Sequence, residues 1–190
     1  IAIFGMTVGA ILVYLFPQYF SDDKVKYQVT LSSLFFAISI VISFLTHLSI
    51  PFVFEKYSIV PLFSLALTFT IISIPFIFSG ITVCLMLTKY PRQVSKLYAA
   101  DLAGAAIGCI LLIYTLNITD GPTAVIFVTL LATIGTLFFS IENKFKNIRR
   151  ITIIFSLILI GFICYKLDKY IIQVVTYIVF IIIIMVIYIV

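Results

Sequence analysis

The sequence predicts an all-α integral membrane fold, a bundle of about seven transmembrane helices, and three observations carry that reading. Hydrophobic residues make up 64% of the 190 residues and charged residues 10%, with a mean hydropathy of +1.32. A soluble domain would be roughly 45–50% apolar and about 25% charged, so the surplus needs lipid as its solvent. Apolar runs near the ~20 residues that a helix needs to cross a bilayer alternate with short polar loops. Finally, lysine and arginine alternate in number from loop to loop, as a multi-pass topology requires.

The first span is expected at about residues 1–19, with Gly5 and Gly9 as a G-x-x-x-G pair and Pro17 ending it. The second, about 29–50, tolerates Ser32, Ser33, Ser39 and Ser43 because helix hydroxyls can bond back to carbonyls, and carries His47 near its far end as a headgroup-level residue. The third, about 59–88, is longer than one straight crossing and contains Pro75 and Gly80, so it is expected to be kinked or broken there. A basic turn with Lys89, Arg92 and Lys96 leads into a fourth span at about 97–116. Asn117 to Pro122 forms a tight turn, and the fifth span follows at about 123–141. The most basic loop precedes a sixth span at about 151–165, and the seventh is expected at about 170–190. Tyrosines 14, 19, 57, 90, 98, 165 and 170 fall near span ends, as an interfacial aromatic belt does. The chain reads as a single helical domain, a piece of a longer protein cut at both ends: it starts with Ile1 and stops inside the apolar run 170–190.

Charge sets the expected orientation. Lys24, Lys26, Lys89, Arg92, Lys96, Lys144, Lys146, Arg149 and Arg150 fall on one side, Lys56, Lys166 and Lys169 on the other. The positive-inside rule makes the first side cytoplasmic, and with seven spans the chain end at Val190 is cytoplasmic too, in a multi-pass protein of the cell membrane. The net charge of +5 is thus a topology signal, and nucleic acid is not an expected partner.

Little catalytic chemistry is visible. There is no Gly-rich phosphate loop and no metal-protease motif, one histidine supports no triad, and Cys84, Cys109 and Cys164 sit in apolar segments without metal-ligand spacing. No metal or cofactor is expected on these residues. Asp101 is the one ionisable group inside a span, hence a candidate functional carboxylate. It is expected to point into the bundle and meet a cation, either a lysine or arginine of the basic turn or a polyamine ammonium. Ala100, Gly104 and Gly108 share one face at i, i+4 and i+8 and are expected to form a packing ridge, with the Gly5–Gly9 face of span one as its neighbour.

Three pieces of the chain occur in an order and spacing that resemble the membrane portion of spermidine synthase-like proteins, polyamine aminopropyltransferase-like. These are P-F-I-F-S-G-I from Pro75 to Ile81, K-L-Y-A-A-D-L-A-G-A-A-I-G-C from Lys96 to Cys109, and D-G-P from Asp120 to Pro122. The residues that carry the likeness are Pro75, Phe76, Gly80, Tyr98, Ala99, Ala100, Asp101, Leu102, Gly104, Gly108, Gly121 and Pro122; beyond 75–122 the chain agrees only as apolar spans. The resemblance implies a multi-pass domain that anchors or supports a cytosolic aminopropyltransferase domain, the chain's own C-terminal partner. It assigns no catalytic residue here. Two other classes stay open: a transporter segment for a polyamine or other cation, favoured by the interrupted span and Asp101, and a non-catalytic assembly module. The two G-x-x-x-G pairs favour the latter and are compatible with a homo-oligomer.

Overall fold

The computed structural model describes residues 1–21, 24–50, 60–142 and 145–166. They form six α-helices: α1 (Ala2–Leu15), α2 (Val25–Leu48), α3 (Val60–Lys89), α4 (Val94–Ile118), α5 (Gly121–Glu142) and α6 (Lys146–Lys166). A 3₁₀ turn, Pro91–Gln93, joins α3 to α4, and no strand occurs among the described residues. These helices fall where the first six of the about seven expected spans lie; the expected seventh, at 170–190, lies outside the described residues, as do Lys56, Lys144 and Lys169. Five helices, α2 to α6, are long and apolar enough to cross a membrane, whereas α1 is a shorter apolar helix. At 1.5 Å per residue its 14 residues measure about 21 Å, short of the ~30 Å hydrocarbon core.

Helix ends follow local chemistry. The residue before a proline is pushed out of the α region by the ring, and Phe16 (φ −119°, ψ 57°) and Tyr90 (φ −120°, ψ 59°) adopt nearly the same backbone, closing α1 and α3. Pro91 then opens the 3₁₀ turn, where its missing N–H has no partner to lose. At the other end of α4, Thr119 is extended (φ −127°, ψ 166°), the Asp120 carbonyl accepts the Ala124 N–H at 3.0 Å, and the Thr123 hydroxyl donates to the Asp120 carboxylate. α2 and α6 begin about a turn before the expected spans, at Val25 and Lys146. Hydropathy fades at the headgroups, but the backbone ladder continues through charged residues.

The bundle is held by two kinds of contact. α1 packs on α3 at backbone distance. A Cβ added at Gly5 would lie 2.6 Å from both the Phe76 Cβ and the Ser73 carbonyl oxygen, one at Gly9 would run into the Ile77 carbonyl, and one at Gly80 into the backbone of Met6. Glycines on both helices are therefore needed for one crossing. Val13, Val25, Val29, Ile81 and Leu85 close the apolar core beside it.

The second kind is a seam of hydroxyls. Among the described residues every buried polar side chain is Ser or Thr. Thr129, Thr133, Thr136 and Ser140 run along the inner face of α5, each bonded back to a carbonyl three or four residues earlier. Such back-bonding lets a hydroxyl sit in an apolar interior without an orphan proton. Some reach across: Ser33 to Thr136 at 2.9 Å joins α2 to α5, and Ser32 to Thr82 at 2.8 Å joins α2 to α3. Each such bond contributes about 0.6 kcal/mol on average in a membrane protein. α6 closes on α5 through Leu130, Leu159 and Ile163, and Tyr27 stacks edge-on against Phe145 at 5.1 Å, placing the starts of α2 and α6 side by side.

α3 is not broken. It runs without interruption from Val60 to Lys89 with Pro75 buried inside it. Proline removes the N–H that would bond the carbonyl four residues back, and that carbonyl belongs to Ile71. The Ser43 hydroxyl of α2 donates to the Ile71 carbonyl at 2.8 Å. A neighbouring helix thus supplies the donor the proline removed; of the expected kink or break at Pro75–Gly80, the break does not occur.

Candidate functional site

The residues singled out from sequence fall into two environments. Pro75 and Gly80 are buried and Phe76 half-buried on α3. Tyr98, Ala99, Ala100, Asp101, Leu102, Gly104 and Gly108 are all exposed on α4, a helix with no buried residue. Nothing lies within 4 Å of a Cβ placed at Gly104 or Gly108. The expected ridge contact between α4 and α1 is therefore not formed among the described residues, since Gly5 and Gly9 face α3 instead. Asp101 does not point into the bundle. It is exposed, and among the described residues it meets neither Lys89, Arg92 nor Lys96 in an ion pair. Asp101 is the eighth residue of α4, about 10 Å from its start at 1.5 Å per residue, and an exposed carboxylate at that depth is within reach of water and headgroups.

What the fold does bring together is Pro75 and Phe76 with Gly121 and Pro122. They border two adjoining apolar crevices, of about 330 and 460 Å³, that share the walls Ile40, Phe44, Val125 and Val128. α4 stands across the larger one through Leu112 and Leu116. His47, half-buried in the last turn of α2, lines the smaller.

At the opposite end of the bundle, Lys26, Thr30, Tyr90 and Gln93 rim a cleft of about 260 Å³ over Val29, Met86, Phe138 and Phe139. Beside it a second cleft is edged by Gln18, Lys24, Tyr27 and Gln28, and the buried Gln28 Oε1 has no hydrogen-bond partner. Sequence reasoning missed both clefts. The only signal for them was the density of basic residues on this side, because the floor of each is assembled from helices far apart in the chain. Among the described residues no three His, Cys, Asp or Glu side chains gather as a metal site, and Cys84, Cys109 and Cys164 are free thiols. The arrangement holds apolar groups and hydroxyls in place and offers no convergent acid, base or nucleophile among the described residues.

No family model, curated protein or solved structure matches the chain.

Proposed function

We propose that this chain is the membrane domain of a spermidine synthase-like protein and that it anchors or supports an aminopropyltransferase domain on the cytoplasmic side. The single observation that carries this over the transporter reading is the chemistry of the interior. Its buried polar residues, among the described residues, are all serine or threonine, none of them acidic, and Ser32–Thr82 and Ser33–Thr136 pair hydroxyl to hydroxyl between helices. A route for a polyamine would need acidic side chains facing inward. Asp101 faces outward, and α3, whose break would have supplied free backbone groups, is continuous. The resemblance across 75–122 supplies the family. The cytoplasmic side is assigned by the basic residues: Lys26, Lys89, Arg92, Lys96, Lys146, Arg149 and Arg150 all fall at one end of the bundle, the end where α2, α4 and α6 begin and α3 finishes.

Two measurements test the reading. Single cysteines at Lys26, Arg92 and Lys146 in a background free of Cys84, Cys109 and Cys164 should resist an impermeant thiol reagent applied to intact cells. Labelling of Lys146→Cys from outside reverses the orientation. Given putrescine and decarboxylated S-adenosylmethionine, the full-length protein should transfer an aminopropyl group. No transfer, together with uptake of labelled polyamine into proteoliposomes, would establish the transporter instead.

A further inference from the structure

The net charge of the chain belongs to one end of the bundle. Lys24 and Lys26 open α2, Lys89, Arg92 and Lys96 surround the α3–α4 turn, Lys146, Arg149 and Arg150 open α6, and Lys144 precedes α6 by two residues in sequence. Against these nine bases stand four acids: Asp22 and Asp23 just before Lys24 in sequence, Glu142 at the end of α5, and Asp101 in the second turn of α4. The surplus of five is the whole net charge of the chain. The connections on the other side carry three bases, Lys56, Lys166 and Lys169, against three acids, Glu55, Asp120 and Asp168.

We propose that the cleft of about 260 Å³ at this basic end binds one anionic phospholipid, its phosphate at the rim and the first part of an acyl chain on the floor. The rim offers donors, the Lys26 ammonium, the Tyr90 hydroxyl and the Gln93 amide, and among the described residues no carboxylate lines it. Basic pockets between helices at a membrane surface hold anionic headgroups in this way. The wall between α2 and α5 is tied, because the Thr30 hydroxyl donates to the Lys26 carbonyl at 2.8 Å and reaches the Phe139 carbonyl at 3.4 Å. From Lys26 to Thr30 is about 6 Å along the helix axis, so the polar rim gives way to Val29, Met86, Phe138 and Phe139 within the depth of a headgroup. Other occupants match only half of this. Water suits the rim but finds no polar partners on the floor. The run 170–190 carries no charged residue and supplies no anion, and a second copy brings the same positive end. An acidic protein surface meets the rim and leaves the floor, on the membrane-compatible helices α2, α3 and α5, uncovered.

Two measurements on the full chain test the site. Purified in mild detergent with equal amounts of phosphatidylglycerol and phosphatidylcholine, the protein should retain phosphatidylglycerol preferentially, read by native mass spectrometry. Lys26→Gln should lower that occupancy about fivefold, as expected for one lysine beside a phosphate. Arg150→Gln removes the same charge from the same end without touching the cleft lining, and should lower it much less. Equal losses would overturn the proposal, because a diffuse field needs no cleft. The second measurement uses the absence of tryptophan from the chain: in Met86→Trp the single tryptophan reports the floor. Reconstituted in phosphatidylcholine vesicles, it should be quenched more strongly by a minor fraction of phosphatidylglycerol brominated in the upper acyl chain than by the same fraction of phosphatidylcholine brominated alike. Equal quenching would also overturn the proposal and leave the rim to an acidic protein surface. Should Met86→Trp not fold, Phe139→Trp reads the same floor.

Discussion

Two regions of this molecule carry the same sequence device and use it differently. Gly5 and Gly9 on α1, and Gly104 and Gly108 on α4, are both G-x-x-x-G pairs in apolar helices. The first pair is pressed against the α3 backbone, while the second has nothing within 4 Å. The difference lies in the partner. α3 offers Gly80 opposite Met6, so the two surfaces notch into each other and dispersion contacts form along the crossing. The α5 face nearest α4 carries Gly121, Ala124, Val125 and Val128, and a crevice of about 460 Å³ lies between it and Leu112 and Leu116 of α4. A small-residue pair permits close approach; it does not by itself choose a partner.

The sharpest way to break this contrast is to add side chains to both pairs. Gly9→Leu should destabilise the bundle by about 3 kcal/mol or more, because the obstacle is backbone that cannot rotate away. Gly104→Leu should change stability by no more than about 0.5 kcal/mol, as an exposed substitution does. Unfolding of detergent-solubilised protein measures both. Equal losses would mean that α4 is packed after all.

A second, smaller effect separates the α3 interior from α4. Ser43→Ala should cost about 1–2 kcal/mol by leaving the Ile71 carbonyl without a donor in an apolar setting. In a Pro75→Ala background the backbone N–H returns, and the same change should cost much less. A cycle of these four proteins reads the difference directly; equal costs in both backgrounds would show that the serine does not serve the proline.

Smaller still is the hydroxyl seam. The coupling between Ser33→Ala and Thr136→Val, whose hydroxyls lie 2.9 Å apart, should be about 0.6 kcal/mol. The smallest expected effect is on α4 again: Asp101→Asn should leave unfolding unchanged within about 0.5 kcal/mol, since the carboxylate is exposed. A large loss would reveal a cationic partner for it.

The legible part of the site was its composition. Pro75, Gly80, Asp101 and the glycine pairs are visible as exceptions in apolar runs, and each was a reasonable candidate for special backbone or charge behaviour. Their environments were not legible. Asp101 reads the same whether α4 is buried or bare, and Ser43 reads as one more tolerated hydroxyl until α2 is laid beside Ile71. Thr129, Thr133, Thr136 and Ser140 were available at i, i+4, i+7 and i+11, a helical face that hydroxyl spacing alone could have exposed.

Among the described residues the sequence by itself determined which stretches are helical, to within about a turn, and where prolines end them, though α1, expected as a span, is shorter than a crossing. These are local properties: lipid forces every backbone N–H and C=O to be satisfied within the segment, so an apolar run of sufficient length has to be a helix. Only the tertiary structure decided which helices touch, which glycine pair closes, how the proline in α3 is compensated, and that α4 stands apart over an apolar crevice. In a membrane, residues facing lipid and residues facing protein are equally apolar, so hydropathy cannot tell them apart. That choice is made by the shape of a partner surface far away in the chain.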